Sequence, residues 1–443
     1  MDKFVVIGGK KLSGSLSVSG AKNVALKALV AASLTSEEVT IHNVPLIADI
    51  FVMIDILKAL GISVKLDGHT VKITADHFSS DMIPLDMAAK ARTSVMFLAP
   101  LLARDKKAVV PNPGGCRLGA RPIDRIIEGV RKMNVDISYH SDDGYFYAKT
   151  DGLRGIEYIF EKSTHTGTET LILGPVLAKG TTVLENAAKE PEIDELIAFL
   201  NAMGADVKRT DYRQITIHGV ERLHGAQYSI SSDRNEIVTF AIAAIVSKGD
   251  VFIENVGNAD LTTFLEMLNK AGGGYEEKGN GIRFFYKQPL HATDITTNVF
   301  PGFMTDWQAP WAVLMTQAEG VSTIHETVFE NKLGYVQDLK RMGAKMTFFN
   351  PPVSDPKAFY NFNQEDDDPS YFHAVKIEGP TPLHNAVVKT LDIRAGAAIV
   401  LAALIAKGET TIHGVRRIDR GYEEFEKRLT NLGADITRIS DDL

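Results

Sequence analysis

Residues 397–415, AAIVLAALIAKGETTIHGV, followed by GYEEFEKRLTNLGADITRI at 421–439, decide how this chain folds, because the same order of features returns along its whole length. An alanine- and leucine-rich apolar run ends at a glycine, and a β-branched TTI then favours a strand. An amphipathic run follows, closing at LGAD before a second strand. NVALKALVAASLTSEEVTIHNV at 23–44, with IADIFVMIDILKALGISVKL at 47–66, is a first copy, and 170–187 with 192–209 is a third. Fourth and fifth copies begin at 237–256 and 309–327, and TSVMFLAPLLARDKKAVVPN at 93–112 is a divergent second.

The residue that closes the amphipathic helix falls at Gly61, Asn134, Gly204, Gly272, Gly343 and Gly433, at intervals of 73, 70, 68, 71 and 90. Glycine suits that place because it accepts the left-handed conformation of a helix C-terminus. The period predicts six units of mixed helix and strand. A single unit encloses too little apolar surface to stand alone, so the units share cores with the all-apolar first helices at the centre. Six units predict two lobes of three, residues 21–230 and residues 1–20 plus 231–443, with the boundary near 225–232. The long last interval holds an insertion, FNPPVSDPKAFYNFNQEDDDPSYF at 349–372. It reads as a surface excursion outside the core, and its EDDD run as a solvated charge cluster with no histidine at ligand spacing.

A length of 443 residues exceeds what one hydrophobic core serves, and 44% apolar with 23% charged residues is ordinary globular composition. The net charge of −8 argues against a surface that coats nucleic acid and leaves room for a local basic pocket. One cysteine excludes an internal disulfide framework. MDKFVVIGGKKLSG lacks a signal-peptide core and no apolar run is long enough to span a membrane, so a cytoplasmic protein is expected. GGKKLSG lacks P-loop spacing and reads as a turn between two short strands. Without zinc spacing among them, the histidines read as surface or capping residues, and no metal site is expected.

Before each buried helix the sequence turns polar: Lys22 and Asn23 in SGAKN, Arg92 in KART, Thr166 to Glu169, Asp233 and Arg234, Thr305 and Asp306, Asp392 and Arg394. Helix N-termini bind anions through free N–H groups and the helix dipole, and added cations strengthen the site. The alternative is ordinary capping, which accounts for the Thr and Asp residues but not for Lys22, Arg92, Arg234 and Arg394. An anionic ligand follows from the first reading.

From strand to closing residue the distance is 20 in copy one (Ile41 to Gly61) and 21 in copies three and six, but 25 in copy two, from Val109 to Asn134. The surplus is PGGCRLGA, with the lone Cys116 among Gly114, Gly115 and Gly119. The glycines predict a loop able to open and close, and Arg117 and Arg121 favour the thiolate.

These segments resemble the enolpyruvyl transferase family over nearly the whole chain, through SGAKN, PGGCRLGARPID, ENAAKEPEI, FPGFMTDWQA, ETVFEN and RRIDRGYE. The resemblance implies a two-lobed inside-out α/β barrel of six βαβαββ units, pseudo-threefold in each lobe. The N-terminal strands would cross into the C-terminal lobe and the active site would lie between lobes. It implies transfer of the enolpyruvyl group of phosphoenolpyruvate to the 3-hydroxyl of UDP-N-acetylglucosamine, with release of phosphate and no cofactor. This is the first committed step of peptidoglycan precursor synthesis, tied to cell-wall biogenesis, cell shape and division. Neither nucleic acid nor membrane is an implied partner. A shikimate 3-phosphate acceptor, or a non-catalytic nucleotide-sugar binder, is the alternative.

The family's roles fall on this sequence as follows. Asp306 takes the sugar hydroxyl proton, and Cys116 is the lid cysteine, a proton donor and the site of fosfomycin alkylation. Lys22 and Asp392 are further catalytic groups. Lys22, Arg121, Arg394 and Arg420, with Asn23, hold phosphoenolpyruvate. Asn23, Arg92, the run Arg121, Pro122, Ile123, Asp124 and Arg125, and then Thr305, Asp306 and Val328 fall at nucleotide-sugar positions. Lys162, Ser163, Thr164, His165 and Gly167 fall where uridine is contacted, in a stretch one residue longer than usual. Lys332 stands where arginine usually follows FEN, and Met96 where an aromatic is common.

Overall fold

The structure, a computed structural model, describes residues 2–114, 122–257, 259–390 and 392–440. It divides into two compact units, one of residues 2–19 and 232–440, the other of residues 20–114 and 122–231. Each is mixed α/β with its own continuous apolar core. Among the described residues no helix is long and apolar enough to cross a membrane.

In the first unit, Lys3–Ile7 lies between Glu409–His413 and Asp435–Ile439, antiparallel to both, and Val387–Lys389 adds in parallel. A second sheet runs Gly274–Lys278, Gly281–Phe285, Asp250–Glu254 and Ser13–Ser17, its last pair parallel. The third centres on Ala318–His325, antiparallel to Ala374–Gly379 and parallel to two short strands, Leu290–His291 and Ile295–Thr296. The segment GGKKLSG therefore joins two short strands, as expected, but they enter different sheets. The helices Arg234–Val246, Gln308–Met315 and Ile393–Ile405 pack on one another behind these sheets, and every residue of Arg234–Val246 is buried. A helix apolar on all sides has to sit inside.

The second unit repeats the plan. Val39–His42 and Thr181–Glu185 each carry one parallel neighbour, Gln227–Ser229 and Glu157–Ile159, and antiparallel strands beyond. Lys107–Pro111 pairs with Tyr145–Lys149, and Met82 bridges Val109 in parallel where the other sheets have a full strand. None of these sheets closes on itself.

All six closing residues adopt the left-handed conformation, Gly61, Gly204, Gly272, Gly343 and Gly433 with φ of 84 to 98° and Asn134 with 69°. Asparagine can replace glycine in copy two because it tolerates that region. The glycine expected to end the first helix behaves differently in copy four. There Lys248 takes the positive φ of 54°, and Gly249 is required because a Cβ would stand 2.1 Å from the Leu12 carbonyl oxygen.

The 349–372 insertion is not merely a surface excursion. Tyr360 and Phe362 are buried in it, and His373 just beyond it is buried too, 3.0 Å from Asp367 of the EDDD run through Nε2. His325 is buried as well, so these two histidines are neither surface nor capping residues. The aromatic content of AFYNF outweighs the polar residues around it, because one buried ring removes more apolar area than a few surface charges need to stay wet.

Candidate active site

The second unit places Lys22 as the first residue of the helix Lys22–Ala31, where no side chain caps the N-terminus. Its Nζ stands 2.8 Å from Asp49 Oδ2, with both side chains more than nine-tenths buried. Asp49 was not selected from the sequence. Asn23 follows in the same first turn, half-buried. Arg92 opens the 3-10 turn Arg92–Phe97, and its Nη2 donates to the Pro122 carbonyl at 3.2 Å. Arg92 and the 122–125 stretch therefore meet. Ile123 is buried, and Asp124 and Arg125 begin the helix Asp124–Lys132. The Arg125 carbonyl accepts the Tyr158 hydroxyl at 3.2 Å.

The Lys162–Gly167 stretch is a helix start. Thr164 caps His165–Leu173 by accepting the Gly167 N–H at 3.3 Å, and a Cβ on Gly167 would press 2.4 Å from Thr164 Cγ2. Ser163 accepts from Arg213 Nη1 at 3.1 Å, and Lys162 is half-buried. His165 Nε2 lies 3.1 Å from Glu169 Oε1, and Lys27 Nζ lies 3.3 Å from Glu169 Oε2. Burial works against a charged imidazole, but the charge and hydrogen bond of Glu169 outweigh it and raise the His165 pKa above its ordinary value. His165 and Glu169 lie in the polar helix start seen in the sequence, and the sequence signal for their distant partner Lys27 is a lysine inside the otherwise apolar ALKALVAASL.

In the first unit, Thr305–Trp307 forms a 3-10 turn that opens the helix Gln308–Met315. Asp306 Oδ1 stands 3.4 Å from Lys332 Nζ and Oδ2 stands 3.7 Å from Arg394 Nε. Arg394 lies over the Tyr422 ring at 4.9 Å, with Nη2 3.8 Å from Asp233 Oδ2. Burial disfavours its charge, yet Tyr422, Asp233 and Asp306 together raise its pKa, so the guanidinium stays charged. Its Nη1 is a buried donor without a hydrogen-bond acceptor among the described residues. Such a donor suits an anionic ligand, since an unmet buried N–H is costly.

Asp392 is engaged locally. It caps Ile393–Ile405 by accepting the Ala395 N–H at 3.0 Å, as Asp233 caps Arg234–Val246. Arg420 ends the 3-10 segment Val415–Arg420 and is half-buried. Thr305 and Val328 meet at Glu326, which the sequence reading had not singled out. This carboxylate is 1% exposed and accepts the Thr305 hydroxyl at 2.8 Å, the Val328 N–H at 2.7 Å, the Phe329 N–H at 2.9 Å and Gln308 Nε2. Burial raises its pKa, and Lys332 together with these donors offsets part of the rise. Cys116 and Arg121 lie outside the described residues, as does the rest of the stretch 115–121.

Residues 6–429 match the family described as EPSP synthase (3-phosphoshikimate 1-carboxyvinyltransferase). The chain belongs to the EPSP synthase family. Relatives in this family extend over its whole length. The UDP-N-acetylglucosamine 1-carboxyvinyltransferase of Desulfatibacillum aliphaticivorans is 41% identical over 99% of this chain and 100% of its own. The enzyme of that name from Koribacter versatilis is 40% identical over 100% and 97%. The enolpyruvyl transferase NikO from Streptomyces tendae superposes with a TM-score of 0.85 at 23% identity, covering 99% of this chain and 98% of its own. EPSP synthase from Acinetobacter baumannii gives 0.73 at 19% identity over 99% and 100%. These two structures carry the EPSP synthase-family fold and nothing finer.

Proposed function

We infer that the chain transfers the enolpyruvyl group of phosphoenolpyruvate to the 3-hydroxyl of UDP-N-acetylglucosamine and releases phosphate, as the first committed step of peptidoglycan precursor synthesis. The observation that carries this is identity of about 40% to UDP-N-acetylglucosamine 1-carboxyvinyltransferases over the full length of both chains. The shikimate 3-phosphate acceptor is not favoured, since the full-length relatives at about 40% identity are UDP-N-acetylglucosamine 1-carboxyvinyltransferases.

In the proposed chemistry the sugar hydroxyl oxygen bonds to the central carbon of phosphoenolpyruvate while a proton adds to its methylene carbon. The resulting ketal loses phosphate from the central carbon and a proton from the new methyl group, which restores the double bond. Asp306, an anion held between two cations, receives the hydroxyl proton. Cys116 delivers the proton to the methylene carbon. Lys22, Arg121, Arg394 and Arg420, with Asn23, hold the phosphate and carboxylate, and the unmet Nη1 of Arg394 supports that role. Asp392 serves as a second carboxylate beside its capping bond. Arg92, the 121–125 run, Thr305 and Val328 bind the nucleotide sugar, with the Lys162–Gly167 stretch on the uridine. No cofactor enters these steps.

The finer architecture belongs to the same reading. We take residues 21–230 and residues 1–20 plus 231–443 as two lobes, each with three βαβαββ repeats in the inside-out arrangement. Three sheets and centrally packed helices within each unit support it. A cytoplasmic location fits the substrates and the single cysteine. The test is phosphate release from phosphoenolpyruvate with UDP-N-acetylglucosamine against shikimate 3-phosphate. Release only with the nucleotide sugar is expected. Release only with shikimate 3-phosphate, or with neither, overturns the assignment.

A further inference from the structure

The insertion that lengthens the last interval to 90 residues is bonded to the loop that follows Ala318–His325. The short helix Pro356–Phe359 is capped by Asp355 and ends at Tyr360, whose hydroxyl lies 3.1 Å from His325 Nε2. The next residue, Asn361, donates its N–H to the Thr327 carbonyl at 2.8 Å. From the other side Thr297 holds Thr327, accepting its N–H at 2.9 Å through Oγ1. Thr327 sits between Glu326 and Val328, so it is clamped at the start of the loop that Glu326 organises.

The clamp has its own support. Tyr360 stacks on Phe362 with centroids 4.8 Å apart, and the His373 ring closes on both at 4.9 and 5.2 Å. Asp367 holds the far side of His373. Asn350, at the insertion's entry, accepts the His373 N–H at 2.8 Å and ties the two ends of the excursion together. A solvated excursion needs no such cluster. Buried rings joined to two backbone bonds make a rigid strap instead.

We propose that residues 350–373 are a strap that fixes the 326–332 loop, and that Tyr360 and Asn361 are positioning residues for recognition of the acceptor sugar. The assignment rests on the nucleotide-sugar role given above to Val328 and Thr305. Tyr360 acts through His325 and Asn361 through Thr327, the two neighbours of Glu326, so they set how well the acceptor is held and leave phosphoenolpyruvate binding alone.

Two full-length variants test it, each removing a different side of the strap. Tyr360→Ala deletes the ring, and Asn361→Pro deletes the N–H given to Thr327 together with the Asn361 carboxamide. Tyr360 already has φ −86° and ψ 140°, the region favoured before proline. In both, KM for UDP-N-acetylglucosamine is expected to rise roughly three- to tenfold, the worth of one or two neutral hydrogen bonds, with KM for phosphoenolpyruvate within about twofold of wild type. Amide exchange over 326–332, measured without substrate, is expected to quicken. A merely structural role would lower the active fraction, and so kcat, while leaving both KM values and the exchange of this loop unchanged. Unchanged exchange, an unchanged sugar KM, or an equal rise in both KM values overturns the strap. If Tyr360→Ala does not accumulate as folded protein, Asn361→Pro decides alone. Wild-type enzyme that releases no phosphate with the nucleotide sugar would sink the functional reading, and exchange would still judge whether the strap holds the loop.

Discussion

Lys332 and Asp306 form an ion pair, Nζ to Oδ1 at 3.4 Å, in which the lysine side chain is 5% exposed and the carboxylate 26%. The partner that water reaches is the one proposed to meet the substrate, and the buried partner holds it in place. Lys332 also carries its charge close to Glu326, so a single cation steadies both the proposed base and the carboxylate that shapes the loop beside it.

Replacing Lys332 tests that arrangement. Lys332→Ala should lower kcat/KM roughly ten- to a hundredfold, the worth of one charge-assisted hydrogen bond, while Lys332→Arg keeps the charge and should stay within about tenfold of wild type. Steady-state kinetics with both substrates decides it. An alanine variant as active as wild type would show that Lys332 is not needed to position Asp306.

Asp306→Asn separates binding from chemistry. An amide of the same shape still fits between Lys332 and Arg394 but cannot take a proton, so the single-turnover rate should fall by about 10² to 10⁴ while calorimetric affinity for UDP-N-acetylglucosamine changes by less than about tenfold. Parallel losses of rate and affinity would assign Asp306 to sugar binding.

His165 makes stability depend on pH. Its pKa in the folded chain is raised above the unfolded 6.5, so its contribution is fully present below pH 6.5 and is lost as pH climbs through the folded value. The Tm advantage of wild type over His165→Gln should therefore be largest below pH 6.5 and shrink at higher pH. An advantage that grows with pH would mean that the imidazole is neutral against Glu169 in the folded chain.

The sequence showed the left-handed closing residues and the polar helix starts because both are local. A left-handed residue after each amphipathic helix, and a cation in the first turn of Lys22–Ala31 or Arg234–Val246, are visible within one unit. Partners that the fold brings from a distance were not legible. Glu169 is separated from Lys27 by 142 residues, and Glu236 accepts both the Ser19 N–H and two bonds from Arg428 across more than 190 residues on each side. The insertion misled for a different reason. Its composition is polar, but its two buried rings cluster only when His373 returns beside them, and composition carries no information about that return.

Asp49 is such a distant partner, and its effect on Lys22 can be settled by experiment. Two consequences of Asp49→Asn oppose each other. Removing a carboxylate 2.8 Å from Lys22 relieves its repulsion of an incoming phosphate, which would favour phosphoenolpyruvate. It also removes one of the contacts that hold the lysine in its rotamer, so that part of a side-chain entropy of about 2 kcal/mol becomes a cost that the bound state must meet. The pair is more than nine-tenths buried, so water does not take the place of the lost carboxylate and loss of order should dominate. KM for phosphoenolpyruvate is expected to rise about tenfold, with KM for the nucleotide sugar unchanged and kcat reduced by less. Lys22→Ala should be far worse, because it removes the cation itself. A lower KM for phosphoenolpyruvate in Asp49→Asn would mean that Asp49 competes with the substrate for Lys22, and that the ion pair opens each time the substrate binds.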